Sequence, residues 1–174
     1  MKKVEDYIVT IPDHPIPGIM FRDITSVLSD ADGFKLAIDE MDKKLQGIEF
    51  DAIAGMESRG FIFGSVLAYL HGKAFIPIRK AGKLPRETVS QSYALEYGEA
   101  TIEMHKDDLK PGSRVVIIDD LIATGGTALA SAKLVEAVGS EVVLFLFLLE
   151  LKGLHGREVL KDYPVETIVA YEGK

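Results

Sequence analysis

Val115-Val116-Ile117-Ile118-Asp119-Asp120-Leu121-Ile122-Ala123-Thr124-Gly125-Gly126-Thr127-Ala128 runs from four aliphatic residues into two adjacent carboxylates, then through a Thr/Gly loop into a helix-forming segment. The aliphatic run reads as a buried strand over 115–118 that delivers polar groups to its C-terminal end, where open α/β sheets bind ligands. Ionised Asp119 and Asp120 are pure acceptors, suited to a diol or a metal-bound ligand. Residues 124–127 offer hydroxyls and successive backbone N–H groups at a helix start, suited to a phosphate. Together these residues read as a ribose-phosphate site. On the residues alone, an ordinary Gly turn with Asp caps stays open as the alternative. No Gly-Lys-Ser/Thr follows, and the paired glycines lack the G-x-G-x-x-G spacing, so the loop is neither a Walker loop nor a dinucleotide fingerprint.

Outward from this stretch, strands and helices alternate. Helical spacing of Phe34, Ala37, Ile38, Met41 and Leu45 predicts a helix over 32–45, with Gly47 as its stop. A short strand is expected over 51–55, a helix over 58–70 ended by His71-Gly72, and a strand over 73–78. Two period-two runs within 88–106, joined at Tyr97-Gly98-Glu99, read as a hairpin. A helix over 126–138, a near-continuous apolar strand over 141–150, a short helix over 154–161 and a strand over 165–170 complete the chain. Residues 1–10 read as a short helix or edge segment. Residues 11–20, with Pro12, Pro15, Pro17 and Gly18, read as turn and extended chain. The fold class is α/β: a doubly wound, mainly parallel sheet with helices on both faces.

Composition narrows the function. The 174 residues fit one domain with a sizeable core. The chain has no cysteine, which excludes a disulfide frame and suits a cytoplasmic setting. Its start turns acidic at once and does not read as a signal peptide, and its longest apolar run is too short to span a bilayer. A net charge of −7 argues against a general nucleic-acid binder, although basic residues cluster over 79–86. The four histidines share no ligand spacing, so no protein-built metal site is expected.

The 115–128 stretch resembles the PRPP-binding motif of the type I phosphoribosyltransferases, PRPP being 5-phosphoribosyl-1-diphosphate. Four further segments resemble the adenine-using branch of that family: Pro17-Gly18-Ile19-Met20-Phe21-Arg22-Asp23-Ile24, Glu57-Ser58-Arg59-Gly60-Phe61, Ile78-Arg79-Lys80-Ala81-Gly82-Lys83-Leu84-Pro85 and Tyr93-Ala94-Leu95-Glu96-Tyr97-Gly98. The resemblance implies transfer of the phosphoribosyl group of PRPP to adenine, giving AMP and pyrophosphate in purine salvage. A homologous enzyme for hypoxanthine, guanine or xanthine, and a non-catalytic PRPP-sensing regulator, are the alternatives. It further implies a single domain over 1–174, with an N-terminal hood over 1–30 and a flexible hairpin lid over 79–99. Ala123, Thr124, Gly125, Gly126 and Thr127 are then expected on the 5-phosphate, with Asp119 and Asp120 on the ribose and beside the developing cation. Ser58, Arg59, Arg79, Lys80 and Lys83 are expected on pyrophosphate. Met20, Phe21 and Arg22 are expected on adenine, Phe21 by stacking, and Glu96 is the acid/base or base-orienting candidate. The resemblance implies Mg²⁺ carried in on PRPP or pyrophosphate, a homodimer, and no nucleic-acid or membrane partner. Ala81 stands where relatives carry Pro or a basic residue, which bears on the stiffness of the lid.

Overall fold

The computed structural model describes residues 1–173. A short 3-10 turn over Val4–Tyr7 leads to β1 (Val9–Ile11), which pairs antiparallel with β2 (Phe21–Asp23) and is followed by the one-turn helix α1 (Thr25–Leu28). Then come α2 (Ala31–Leu45), β3 (Ala52–Met56), α3 (Arg59–His71), β4 (Ala74–Lys80), the hairpin β5 (Thr88–Ala94) and β6 (Glu99–His105), β7 (Arg114–Ile122), α4 (Gly126–Ala137), β8 (Glu141–Leu151), α5 (Gly156–Val159) and β9 (Val165–Tyr171). The main sheet runs β5-β6-β4-β3-β7-β8-β9. Its β4, β3, β7, β8 and β9 are parallel, and the hairpin is antiparallel.

Alternation along the central strands builds two cores. Ile53, Val116 and Ile118 face α2 and α3, and Ala54, Val115 and Ile117 face α4. Strand β8 is buried from Leu144 to Glu150 because both faces are covered, as parallel sheets require. Each fully buried Leu or Phe there contributes roughly 1.5–3 kcal/mol. Helix α2 starts at Asp30, whose carboxylate accepts the N–H groups of Asp32 and Gly33, both at 2.9 Å. Helix α3 stops at Gly72, whose φ of 62° suits a residue without Cβ.

Three features differ from the sequence reading. Strand β7 does not end at Ile118. It continues to Ile122, because the long neighbour β8 extends its ladder through Asp119↔Phe147, Leu121↔Leu149 and Ile122↔Glu150. The expected helix over 154–161 shrinks to Gly156–Val159, behind a 3-10 turn and the positive φ of His155. The expected short helix or edge segment over 1–10 is a 3-10 turn followed by β1, while its partner β2 and α1 had no expected counterpart, being too short to show a period.

The crossover from β3 through α3 to β4 runs one way along the sheet. The crossover from β7 through α4 to β8 runs the other, on the opposite face. The C-terminal ends of adjacent β3 and β7 therefore flank a topological switch point, where doubly wound sheets open a crevice.

Candidate active site

Into that crevice β3 delivers Glu57 and Ser58, α3 its first residue Arg59, β4 its last residue Lys80, and β7 the two carboxylates. Successive strand residues point to opposite faces, so Asp119 and Asp120 diverge. Asp119 borders the cavity formed with the 123–127 loop, and Asp120 borders one formed with Phe21, Arg22 and Leu149. Three cavities meet here. One of about 260 Å³ is lined by Lys80, Asp119 and residues 121–128. A second, also about 260 Å³, has an almost wholly polar lining: Glu57, Ser58, Arg59, Lys80, Asp119 and Asp120. A third of about 120 Å³ lies between Phe21–Thr25, Arg59, Asp120, Leu121 and Leu149.

The loop of the first cavity ends at Gly125, the N-cap of α4, with φ of 85° and no side chain to cap the helix. The leading N–H groups of α4 thus remain available to an anion, reinforced by the helix dipole. Gly60 allows α3 to begin against Asp119: a Cβ there would stand 2.9 Å from Asp119 Oδ1 and 2.9 Å from the Ile118 carbonyl oxygen.

Electrostatics split the two acids. Arg59 Nε donates to Asp120 Oδ2 at 2.5 Å, and this bond with the Asp120 charge raises the guanidinium pKa further. Burial first, then the neighbouring Asp120 charge, pushes the Asp119 carboxyl well above its ordinary range, although it accepts the Asp120 N–H at 2.8 Å. Glu57 sits opposite. Burial pushes its carboxyl up, but the Lys83 ammonium and the Lys80 N–H outweigh burial and leave it below the ordinary range. Its oxygens accept the Lys80 N–H at 2.5 Å and Lys83 Nζ at 2.8 Å, with Arg79 Nε 3.6 Å away. Arg79 Nε is buried without a hydrogen-bond partner among the described residues.

The expected residues are therefore mostly, but not wholly, brought together. Asp119, Asp120, Ala123, Thr124, Gly125, Gly126, Thr127, Ser58, Arg59 and Lys80 line the joined cavities. Phe21 and Arg22 line the third. The Arg22 guanidinium turns away from it, donating to Thr10 Oγ1 at 2.6 Å and lying 3.9 Å over the Tyr171 ring. Phe21 stands edge-on to His14, centroids 5.1 Å apart. Arg79 and Lys83 face Glu57. Met20 is exposed and borders none of the three cavities, nor does Glu96, which lies at the exposed tip between β5 and β6. Glu57, Tyr93, Leu121 and Phe147 line the site with no expected role. Glu57 gave no local signal, because the basic residues it faces lie 23 and 26 positions further on. Tyr93 fell in the expected hairpin, Leu121 beyond the expected strand end, and Phe147 in an expected buried strand. No group of three or more His, Asp or Glu able to hold a metal ion exists among the described residues.

Known proteins share this chain's sequence and fold. Residues 28–171 match the phosphoribosyl transferase domain family. The chain is 65% identical to an adenine phosphoribosyltransferase of Agathobacter rectalis, over the full length of both. It superposes with a TM-score of 0.92 on the crystal structure of the adenine phosphoribosyltransferase of Thermoanaerobacter pseudethanolicus, at 50% identity over 97% of this chain and 98% of that one. The Saccharomyces cerevisiae adenine phosphoribosyltransferase, solved with an imino-altritol bisphosphate and adenine, gives a TM-score of 0.89 at 38% identity, covering 95% of this chain and 96% of that one.

Proposed function

The chain belongs to the phosphoribosyl transferase family, and with that as premise we infer that it is an adenine phosphoribosyltransferase, converting adenine and PRPP to AMP and pyrophosphate in purine salvage. The observation that carries this reading is the juncture of three cavities on one carboxylate pair, since PRPP and a base present three parts to the protein: phosphate, diphosphate and heterocycle.

In this reading the 5-phosphate lies on residues 123–127, where glycine and the leading amides of α4 admit an anion. Asp119 and Asp120 accept the ribose hydroxyls and stabilise the positive charge that grows at C1 as the C1–O bond breaks. Diphosphate leaves with the bonding electron pair into the polar cavity of Ser58, Arg59 and Lys80. Arg79 and Lys83 turn to it from Glu57, and the unpartnered Arg79 Nε supports that role. The base N9 forms the new bond to C1 and gives up its proton. Phe21 stacks on the base, Met20 and Arg22 present backbone groups to its edge, and Glu96 orients it or handles its proton once the lid, residues 79–99, closes. The 1–30 hood and that lid are parts of one domain spanning the chain.

Mg²⁺ belongs to the proposal. The chain builds no cage of its own among the described residues, and the acids beside the polar cavity are hard oxygen donors. That donor set fits a cation arriving on the diphosphate, with Asp119 and Asp120 as its protein partners. Bound there, it would neutralise the leaving group. A homodimer is part of the same reading, supported by the exposed apolar side chains of Val9, Ile11, Ile16 and Ile19. So is a cytoplasmic location, supported by the cysteine-free composition. No helix of the described residues is long and apolar enough to cross a membrane.

The test is AMP formation from adenine and PRPP with Mg²⁺. Efficient adenine turnover is expected. Turnover of hypoxanthine, guanine or xanthine in its place would overturn the base assignment.

A further inference from the structure

Behind the 123–127 loop, on the side away from the cavity, lies the short turn that opens α5. Gly156 comes so close to the loop that neither partner has room for a side chain. A Cβ on Gly125 would stand 2.8 Å from the Gly156 carbonyl oxygen. A Cβ on Gly156 would stand 2.5 Å from the Ala123 carbonyl oxygen and 2.7 Å from Ile122 Cγ1. The turn is fastened from below. Arg157 Nε lies 2.8 and 2.9 Å from the two oxygens of buried Glu150, its Nη1 donates to the Val165 carbonyl at 2.9 Å, and its Nη2 to Thr167 Oγ1 at 3.2 Å. Thr167 Oγ1 in turn donates to Glu150 at 3.0 Å. One guanidinium thus ties the turn to β8 and β9.

We propose that Gly156 and Arg157 are positioning residues for the 5-phosphate: the pinned turn sets the height of the loop, so the amides of 125–127 are aimed before the ligand arrives. This rests on the reading of 123–127 as the phosphate loop. The two sides of the contact are unequal. The turn is held by a charge-assisted cluster with one partner buried, whereas the loop has open cavity on its other side. A methyl group at Gly156 therefore displaces the loop, and displacement at an anion cradle costs affinity for that anion alone.

The experiment is Gly156→Ala in the full chain, with ribose 5-phosphate and, separately, pyrophosphate with Mg²⁺ titrated by calorimetry, and KM measured for PRPP and adenine. The expected result is a loss of about tenfold or more in ribose 5-phosphate affinity with a matching rise in the PRPP KM, while pyrophosphate affinity and the adenine KM hold. A loss of folded fraction alone would lower kcat without producing that split. Equal weakening of all ligands, or none, overturns the proposal. If Gly156→Ala does not fold, Arg157→Met, which frees the turn, is read by the same ligand pattern. If the wild-type chain forms no AMP, the catalytic reading fails, and the two titrations still decide whether the turn aims the loop.

Discussion

Asp119 and Asp120 are neighbours in sequence with opposite circumstances, and the difference is measurable. The folded chain holds the Asp119 proton to higher pH than its ordinary value of 3.8. Between those two points the folded state binds more protons than the unfolded state. Stability of the unliganded protein therefore falls as pH rises through that window and levels off above it. Asp119→Asn removes the charge that burial opposes. It is expected to stabilise the unliganded protein at neutral pH by on the order of 1 kcal/mol while lowering kcat/KM at least about tenfold, a trade of activity against stability. A lower melting temperature in the variant would mean that partners hold the carboxylate more strongly than burial opposes it. Arg59→Ala addresses the other acid: the PRPP KM should rise by about tenfold or more while the adenine KM changes little, and equal changes would remove Arg59 from the pyrophosphate cavity. Both acids were legible as a pair at a strand end. Glu57 was not, since the positive groups that give it meaning lie 23 and 26 residues further on, and only the β3–β4 crossover brings them together.

Element boundaries followed the same division. Helix α2 and strand β8 were legible because a buried helix stripe and a doubly covered strand leave long periodic patterns. Strand β7 was read short at Ile118, because two acids look like the end of a buried strand when the neighbour that prolongs it is unseen. The β1–β2 pair, at three residues a strand, leaves no pattern to read. Two predictions belong to elements. Asp30→Ala removes the cap of α2 and should cost about 1 kcal/mol in reversible melts, with kinetic constants unchanged because α2 lies away from the crevice. Glu57→Gln weakens the tether on Lys83 and the Lys80 amide, so amide exchange across 80–87 should quicken in the unliganded protein. Unaltered exchange would show that the hairpin, not Glu57, holds that segment.

Across the whole molecule, alternating strands and helices made the doubly wound sheet legible, and the motif named one wall of the site. The opposite walls come from residues 21–25 and Leu149, which no local pattern connects to 119–127. A site assembled from such distant parts should steady the whole chain when filled. PRPP with Mg²⁺ at a hundred times its dissociation constant is expected to add about 2.7 kcal/mol of stability, and no change in melting temperature would count against PRPP as a ligand.

The hairpin β5–β6 joins the main sheet through two registered pairs, Arg79↔Glu103 and Lys80↔Ile102, and its Tyr93 and Ile102 line the first cavity with Gly126. Ile102 and Met104 of β6 are buried in the core beneath α4, whereas the 81–87 connection and the tip over 95–98 lie largely exposed. In a limited digestion the first cut should therefore fall in 81–98, ahead of any in the parallel strands. Because the hairpin is anchored next to the cavities, the rate of that cut becomes a gauge of occupancy: a protease would report how full the crevice is from a nick made at its edge.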